Sequence, residues 1–234
     1  MTIKSNPKIL MFGGTGLLGT ELGKIYTNIV RLNRFAVNIT SDYSVKKVID
    51  DTKPDIIINA AAFTDSTKVN ANKDEVIDVN MIGAGIIARN SRNCRLIYIS
   101  TDYIYDGTRS DLHSEEDVIR PENMYAWSKL AGEIGTKFNT DHAIIRTSFG
   151  ATEFPHTAAY NNLIVSKDYV DVIAPMIMNV VHSSYMGVIN VGTSAKSMYD
   201  YAIERNKNVQ KSSLASFKNF SLNTYKYEQL CRNR

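Results

Sequence analysis

Short apolar runs alternate with stretches of helical periodicity along most of the chain. Lys8-Ile9-Leu10-Met11-Phe12 reads as a first strand, and a helix starts in the glycine turn behind it and runs to about Tyr26. Ile29 to Leu32 reads as a second strand, and Tyr43 to Asp51 as an amphipathic helix ended by Lys53-Pro54. Asp55 to Ala61 and Leu96 to Ser100 are apolar without alternation, the mark of strands buried on both faces. Lys73 to Arg92 and Met124 to Phe138 are helical, with the strand Ala143 to Arg146 behind them. Strands that alternate with helices in this way predict an α/β fold, a Rossmann-type, doubly wound parallel sheet.

After Phe149 the pattern loosens. Gly150 to Lys167 carries Pro155 and many Tyr, Asn and Thr, and reads as loop plus short helix. Asp171 to Val181 is helical, Gly187 to Val191 a strand, and Ser197 to Arg205 a helix. The expected organisation is a dinucleotide-binding core over 1–150, with a small C-terminal substrate-binding lobe over 151–234 packed on it as one compact unit.

Composition narrows the classes. With 44% hydrophobic and 22% charged residues in 234, the chain can form one α/β domain with a small lobe. The formal net charge of +3 is spread along the sequence, and no basic block argues for nucleic acid or a polybasic membrane anchor. Met1 to Pro7 lacks the apolar core of a signal peptide, and no run approaches the roughly 20 apolar residues of a membrane span. A cytoplasmic protein is the expectation. Cys94 and Cys231 have no metal or CxxC spacing, and His113, His142, His156 and His182 form no metal-ligand pair, so no metal is expected. Glu115-Glu116-Asp117 reads as a solvated loop, and the Met residues from Met176 to Met186 as core packing.

The glycine turn, Gly13-Gly14-Thr15-Gly16-Leu17-Leu18-Gly19, stands directly behind the first strand. Its Gly13-x-x-Gly16-x-x-Gly19 spacing differs from the commonest dinucleotide fingerprint but shares its physics. Small residues let the backbone approach a pyrophosphate, and the helix presents its first amide N–H groups to it. Many NAD sites place an acidic residue after the second strand to hold the ribose hydroxyls. None stands between Glu21 and Asp42 here, whereas Arg31 and Arg34 do. A guanidinium suits a 2′-phosphate, so NADP(H) is expected over NAD(H). Ordinary surface charge is the alternative for both arginines.

Tyr125 and Lys129 lie four apart, on one helix face. An ammonium beside a phenol lowers the phenol pKa from about 10 and makes the Tyr a usable proton donor to a carbonyl under reduction. The spacing alone is not diagnostic, because Tyr43 and Lys47 repeat it. Context favours Tyr125, which follows the strand ending in Ser100-Thr101-Asp102-Tyr103. Catalytic groups in open α/β sheets gather at the carboxyl ends of strands. The hydroxyls at that strand end serve equally as partners for a substrate oxygen or as turn chemistry.

Taken together, these segments resemble the extended short-chain dehydrogenase/reductase superfamily and, more closely, the dTDP-4-dehydrorhamnose reductase family. The likeness runs through Gly13 to Gly19, Lys53 to Thr64, Val79-Asn80, Ser100 to Gly107, Pro121 to Glu133 and Arg146 to Phe149, with a weaker echo at Tyr169 to Ala174 and Gly187 to Val191. The resemblance implies Thr101, Tyr125 and Lys129 as the catalytic set. It implies Gly16, Leu17 and Leu18 on the pyrophosphate, Asn38 and Ile39 near the adenine, and Ala60, Ala61, Ala62 and Ser100 along the cofactor. Thr101, Asp102, Tyr103 and Phe149 would face a sugar nucleotide. The family often has Asp where Asn38 stands and usually Trp in place of Phe149. The implied activity is NADPH-dependent reduction of a nucleotide-linked 4-keto-6-deoxy sugar. A bifunctional UDP-sugar 3,5-epimerase/4-reductase and a non-catalytic nucleotide-binding regulatory subunit are the alternatives. A homodimer is compatible with each.

Overall fold

The computed structural model describes residues 5–65 and 68–233. The first part of the chain gives β1 (Ile9–Phe12), α1 (Leu17–Ile25), β2 (Ile29–Leu32), α2 (Asp42–Thr52) and β3 (Ile56–Asn59). Next comes one helical rod, α3 (Lys73–Val76), a π-helical segment (Ile77–Gly83) and α4 (Ala84–Asn90), followed by β4 (Arg95–Thr101), α5 (Met124–Thr136) and β5 (His142–Thr147). Beyond it lie β6 (Phe149–Gly150), β7 (Ala158–Tyr160), β8 (Leu163–Val165), β9 (Asp168–Tyr169), α6 (Val170–Val181) and β10 (Gly187–Asn190). The chain closes with β11 (Lys196–Ser197), α7 (Met198–Arg205), β12 (Gln210–Ser212), β13 (Lys218–Phe220) and α8 (Tyr225–Arg232).

Among the described residues, six strands form one parallel sheet in the order β10-β5-β4-β3-β1-β2. The chain moves from β1 outward to β2 and then returns past β1 to β3, so a crevice opens between the carboxyl ends of β1 and β3. Its sixth strand, β10, comes from beyond residue 150 and pairs with β5.

Side-chain alternation along the strands supplies both faces of the core. Ile9, Met11, Ile56, Ile58, Ile97 and Ile145 pack with Leu18 and Leu22 of α1 and with Ile173 and Ile177 of α6. Leu10, Phe12, Ile57 and Leu96 face the other way, onto Val45 and Ile49 of α2 and Ile87 and Ala88 of α4. Helix α5 lies very close to β4: a Cβ on Gly132 would stand 2.1 Å from the Tyr98 hydroxyl. This close approach sets the depth of the helix that carries Tyr125.

Apart from α6 and β10, which join the main core and sheet, the residues beyond Gly150 form two- and three-residue strands, with a small cluster around Phe154, Tyr169, Tyr201 and Val209. Gly150 to Lys167 holds β7 and β8 in place of the expected short helix. Those residues pair with segments about 50 positions away, at Gln210–Ser212 and Lys218–Phe220, so local periodicity carries no trace of them. Glu115 also departs from the solvated-loop reading: its side chain is 5% exposed and accepts the Asn190 amide at 2.8 Å. Met186 is exposed, while Met178 joins the core. Among the described residues, no helix is long and apolar enough to cross a membrane.

Candidate active site

The glycine turn is held by its own backbone. Gly13 has φ +83°, and a Cβ on it would lie 2.6 Å from the Ala60 carbonyl. Gly19 packs on the Gly14 backbone, again at 2.6 Å for an added Cβ. Gly16 differs from both: an added Cβ would meet only the Gly13 carbonyl oxygen, at 3.4 Å. It is the N-cap of α1, which has no side-chain cap hydrogen bond. The first turn of a nine-residue helix is thus left bare over open space, an arrangement that suits an anionic phosphate.

Two cavities meet at Gly13, Gly16, Ala60, Ala62 and Thr64. One, of about 520 Å³, runs from Gly16 past Ala61 to Arg34, Asn38 and Ile39. The other, of about 400 Å³, holds Leu17, Leu18, Ser100, Thr101, Asp102, Tyr103, Tyr125, Lys129 and Phe149. Gly19 and Arg31 line neither. Arg31 turns away along α1, where its Nη1 donates to the Gly19 carbonyl at 3.1 Å and its guanidinium covers Gly23. Of the two arginines, Arg34 alone borders the groove, with its guanidinium 5.3 Å from the Phe35 ring.

Helix α5 begins at Asn123, whose side chain accepts the Ala126 amide at 2.8 Å. Asn80, fully buried in the π-helical segment, then fixes its first turn. The Asn80 amide donates to Ser128 Oγ at 2.9 Å and to the Phe63 carbonyl at 3.1 Å, and its oxygen accepts the Phe63 N–H at 2.7 Å. This clamps the loop after β3 against the turn that carries Tyr125. At the other wall, Thr101 ends β4 and caps a 3-10 turn over Asp102–Ile104, accepting the Tyr103 amide at 3.2 Å.

The electrostatics differ from the simple Tyr–Lys picture. Burial raises the Tyr125 phenol well above its ordinary value, Asp102 raises it further, and a hydrogen bond with the Thr101 side chain offsets part of this. Lys129 is 2% exposed, with its ammonium 4.2 Å from the Tyr98 ring centre. Burial pulls its pKa down to about 7, against an upward pull from Glu133. The expected lowering of the phenol by Lys129 is therefore not what this structure shows. Burial is the largest influence on each group: it raises the phenol and lowers the ammonium. Tyr43 and Lys47 fall on the solvent face of α2, where Lys47 pairs with Asp51 at 2.5 Å.

Three features of the cavity had no clear sequence signal. Lys167 reaches it because β6 and β9 pair Phe149 with Asp168, bringing the preceding lysine to the end of β5. Its charge faces Asp102, which burial pushes up to about 6. Thr147 Oγ1 is buried at the cavity wall without a hydrogen-bond partner among the described residues. Beneath the cavity, Ser100 Oγ donates to Glu133 Oε1 at 2.5 Å. That bond places Ser100 on a buried carboxylate as well as on the cavity wall.

The RmlD substrate binding domain model matches residues 7–178 of this chain. A dTDP-4-dehydrorhamnose reductase of Aggregatibacter actinomycetemcomitans is 30% identical over 180 residues, 73% of this chain and 61% of the relative. The chain spans about half of the length of the curated relatives it matches, with shares from 44% to 61% among the first three. Among solved structures, a dTDP-4-dehydrorhamnose reductase of Clostridium acetobutylicum superposes with a TM-score of 0.86 at 23% identity, covering 94% of this chain and 91% of that one. A dTDP-4-dehydrorhamnose reductase of Bacillus anthracis in complex with NADP superposes with a TM-score of 0.84 at 25% identity, covering 97% and 98%. With its parallel sheet, glycine turn and strand-end cavity, the chain belongs to the RmlD substrate-binding-domain family, the dTDP-4-dehydrorhamnose-reductase-like branch of the extended short-chain dehydrogenase/reductases.

Proposed function

We propose that the protein is an NADPH-dependent reductase of a nucleotide-linked 4-keto-6-deoxy sugar. The observation that carries this reading is the convergence of Thr101, Tyr125 and Lys129 on one cavity, continuous with the groove over the glycine turn. A nicotinamide bound there supplies the hydride. The bare first turn of α1 takes its pyrophosphate, Asn38 and Ile39 flank the adenine, and Arg34 pairs with the 2′-phosphate. Tyr125 donates its proton to the carbonyl oxygen as the alcohol forms, and Thr101 hydrogen-bonds the same oxygen. Burial keeps the Tyr125 phenol in its protonated form at neutral pH while making it a weaker acid than a free phenol. Lys129 approaches the ribose side of the cofactor from α5. Asp102, Tyr103 and Phe149 form the wall that meets the sugar.

Several relatives support this choice of substrate class, since their names are dTDP-4-dehydrorhamnose reductase and dTDP-4-keto-6-deoxy-D-glucose reductase. The test is oxidation of NADPH by the purified protein with dTDP- and UDP-linked 4-keto-6-deoxy sugars, with product configuration read by NMR. Reduction at C4 is the expected result. NADPH binding without turnover on any member of the panel would overturn the reading.

A further inference from the structure

The cavity that holds Thr101 and Tyr125 does not end at the sugar wall. A further cavity, of about 310 Å³, adjoins it, and Tyr103 and Lys167 line both. Beyond that junction the lining is aromatic. Phe154 and Tyr201 are buried in it, whereas His156 and Tyr160 are exposed. The Phe154 ring lies 5.9 Å from Tyr201 and 5.4 Å from His156, edge to face in each case. Gly150 leaves room between Tyr201 and Lys167: a Cβ there would stand 2.3 Å from the Tyr201 hydroxyl and 3.4 Å from Lys167 Cε.

Lys167 is a cation without an anion. Among the described residues, the other lysines held partly or wholly out of solvent are Lys129, Lys196, Lys218 and Lys226. Lys196 pairs with Asp168 at 2.9 Å, Lys218 with Glu122 at 2.8 Å, and Lys226 with Glu116. Lys167 has neither a carboxylate within ion-pair distance nor a hydrogen-bond partner among the described residues, and its ammonium lies 5.9 Å from the Tyr201 ring centre. The pairing of Phe149 with Asp168 fixes the backbone beside it. Holding such a charge partly out of water is unfavourable unless an anion joins it, and it stands where a ligand that spans both cavities must pass.

We propose that Lys167 holds the diphosphate of the substrate at this junction and that the aromatic cavity beyond it takes the nucleoside, with the base on the rings of His156 and Tyr160. This rests on the reductase reading, in which the sugar carbonyl meets Tyr125 and Thr101. In a nucleotide-linked sugar the diphosphate stands between sugar and nucleoside. With the sugar in the first cavity, the anion falls at Lys167 and the planar base falls among the rings. An ammonium is a compact point charge suited to phosphate. Stacking on aromatic side chains accepts any base, because every base has a π-face. The site therefore selects nucleotide-linked over free keto sugars and discriminates little between thymine and uracil.

The experiment titrates dTDP, UDP and pyrophosphate by calorimetry, and thymidine by ligand-observed NMR, into wild type, Lys167→Met, Lys167→Arg and Tyr160→Ala. Lys167→Met should bind dTDP and UDP at least about tenfold more weakly and thymidine as wild type does, while Lys167→Arg keeps most of the affinity. Tyr160→Ala should weaken dTDP, UDP and thymidine by one common factor, about fivefold or more. Each variant should keep its NADPH affinity. In wild type alone, added salt should weaken dTDP and leave thymidine unchanged. Binding of dTDP by Lys167→Met at wild-type strength, or without salt dependence in wild type, would overturn the phosphate assignment. Pyrophosphate bound as tightly as dTDP would overturn the nucleoside cavity. None of these titrations needs turnover. An inactive wild type that still binds dTDP through Lys167 would sink the reductase reading and support this site, and an active enzyme whose dTDP affinity ignores Lys167 would do the reverse.

Discussion

Glu133 and Arg146 meet through two parallel hydrogen bonds, 3.1 Å from Nε to Oε1 and 2.9 Å from Nη2 to Oε2, with both side chains 1% exposed. The pair ties α5 to β5 directly beneath the cavity. Arg146 also donates to the Tyr105 hydroxyl at 2.9 Å and to the Glu115 carbonyl at 3.3 Å, while Glu133 accepts from Ser100. The helix bearing Tyr125 and Lys129 is therefore anchored to two strands by one buried carboxylate.

Breaking this pair from one side leaves a buried charge without compensation, which costs about 3–5 kcal/mol. Glu133→Gln and Arg146→Met should each lower stability by that order in urea unfolding. The double variant should lose less than the sum, because neither charge then remains. Additive losses would show that the two residues act separately.

Lys129 gives a stability signature with a defined sign. Its folded pKa of about 7 lies below its ordinary value of 10.5. The unfolded chain therefore holds more protons between those values, and stability rises with pH as the folded-state lysine loses its charge. Wild type should gain roughly 2–3 kcal/mol relative to Lys129→Met between pH 6 and pH 9. A constant difference between the two proteins across that window would show that Lys129 stays charged in the fold.

Gly19 and Gly16, two glycines of the turn, should separate by phenotype. Gly19→Ala forces a Cβ against the Gly14 backbone and should destabilise the fold by about 1–3 kcal/mol. Gly16→Asp has room for its Cβ but sets a carboxylate over the bare helix end. It should keep its melting temperature and lose at least about tenfold in NADPH affinity. Calorimetric titration of NADPH checks this, and normal affinity would place the pyrophosphate elsewhere.

Arg34 and Arg31 were equivalent as letters in one segment, yet the fold separates them. A charge-assisted hydrogen bond contributes roughly 1.5–3 kcal/mol, so Arg34→Ala should cut the NADPH-over-NADH preference by about ten- to hundredfold. Arg31→Ala should leave it unchanged, because that guanidinium caps the Gly19 carbonyl. The reverse pattern in the two Kd ratios would contradict the assignment.

The arginines mark a boundary in what the sequence made legible. Ile9–Phe12, Ile56–Asn59 and Arg95–Thr101 are buried along their whole length, so their unbroken apolar runs announced a two-faced parallel sheet. Tyr125, Lys129 and Thr101 were legible because each sits on or beside such an element. The short strands beyond Gly150 were not: β7, β8, β9, β12 and β13 are two or three residues long, and their partners lie far along the chain. Lys167 was hidden for the same reason. A lone lysine carries no periodicity, and only the pairing of Phe149 with Asp168 brings it to Asp102. The raised phenol pKa of Tyr125 was equally out of reach, since burial and not spacing decides it.

The most direct measurement follows the hydrogen itself. NADPH carrying deuterium at the transferable C4 position is incubated with a dTDP-linked 4-keto-6-deoxy sugar, and the product is examined by NMR under single-turnover conditions. The predicted result is deuterium at C4 of the sugar with wild type, and transfer slowed about 10²- to 10⁴-fold in Tyr125→Phe, the usual share of a positioned acid. Absence of label at C4, or transfer by Tyr125→Phe at the wild-type rate, would contradict the account.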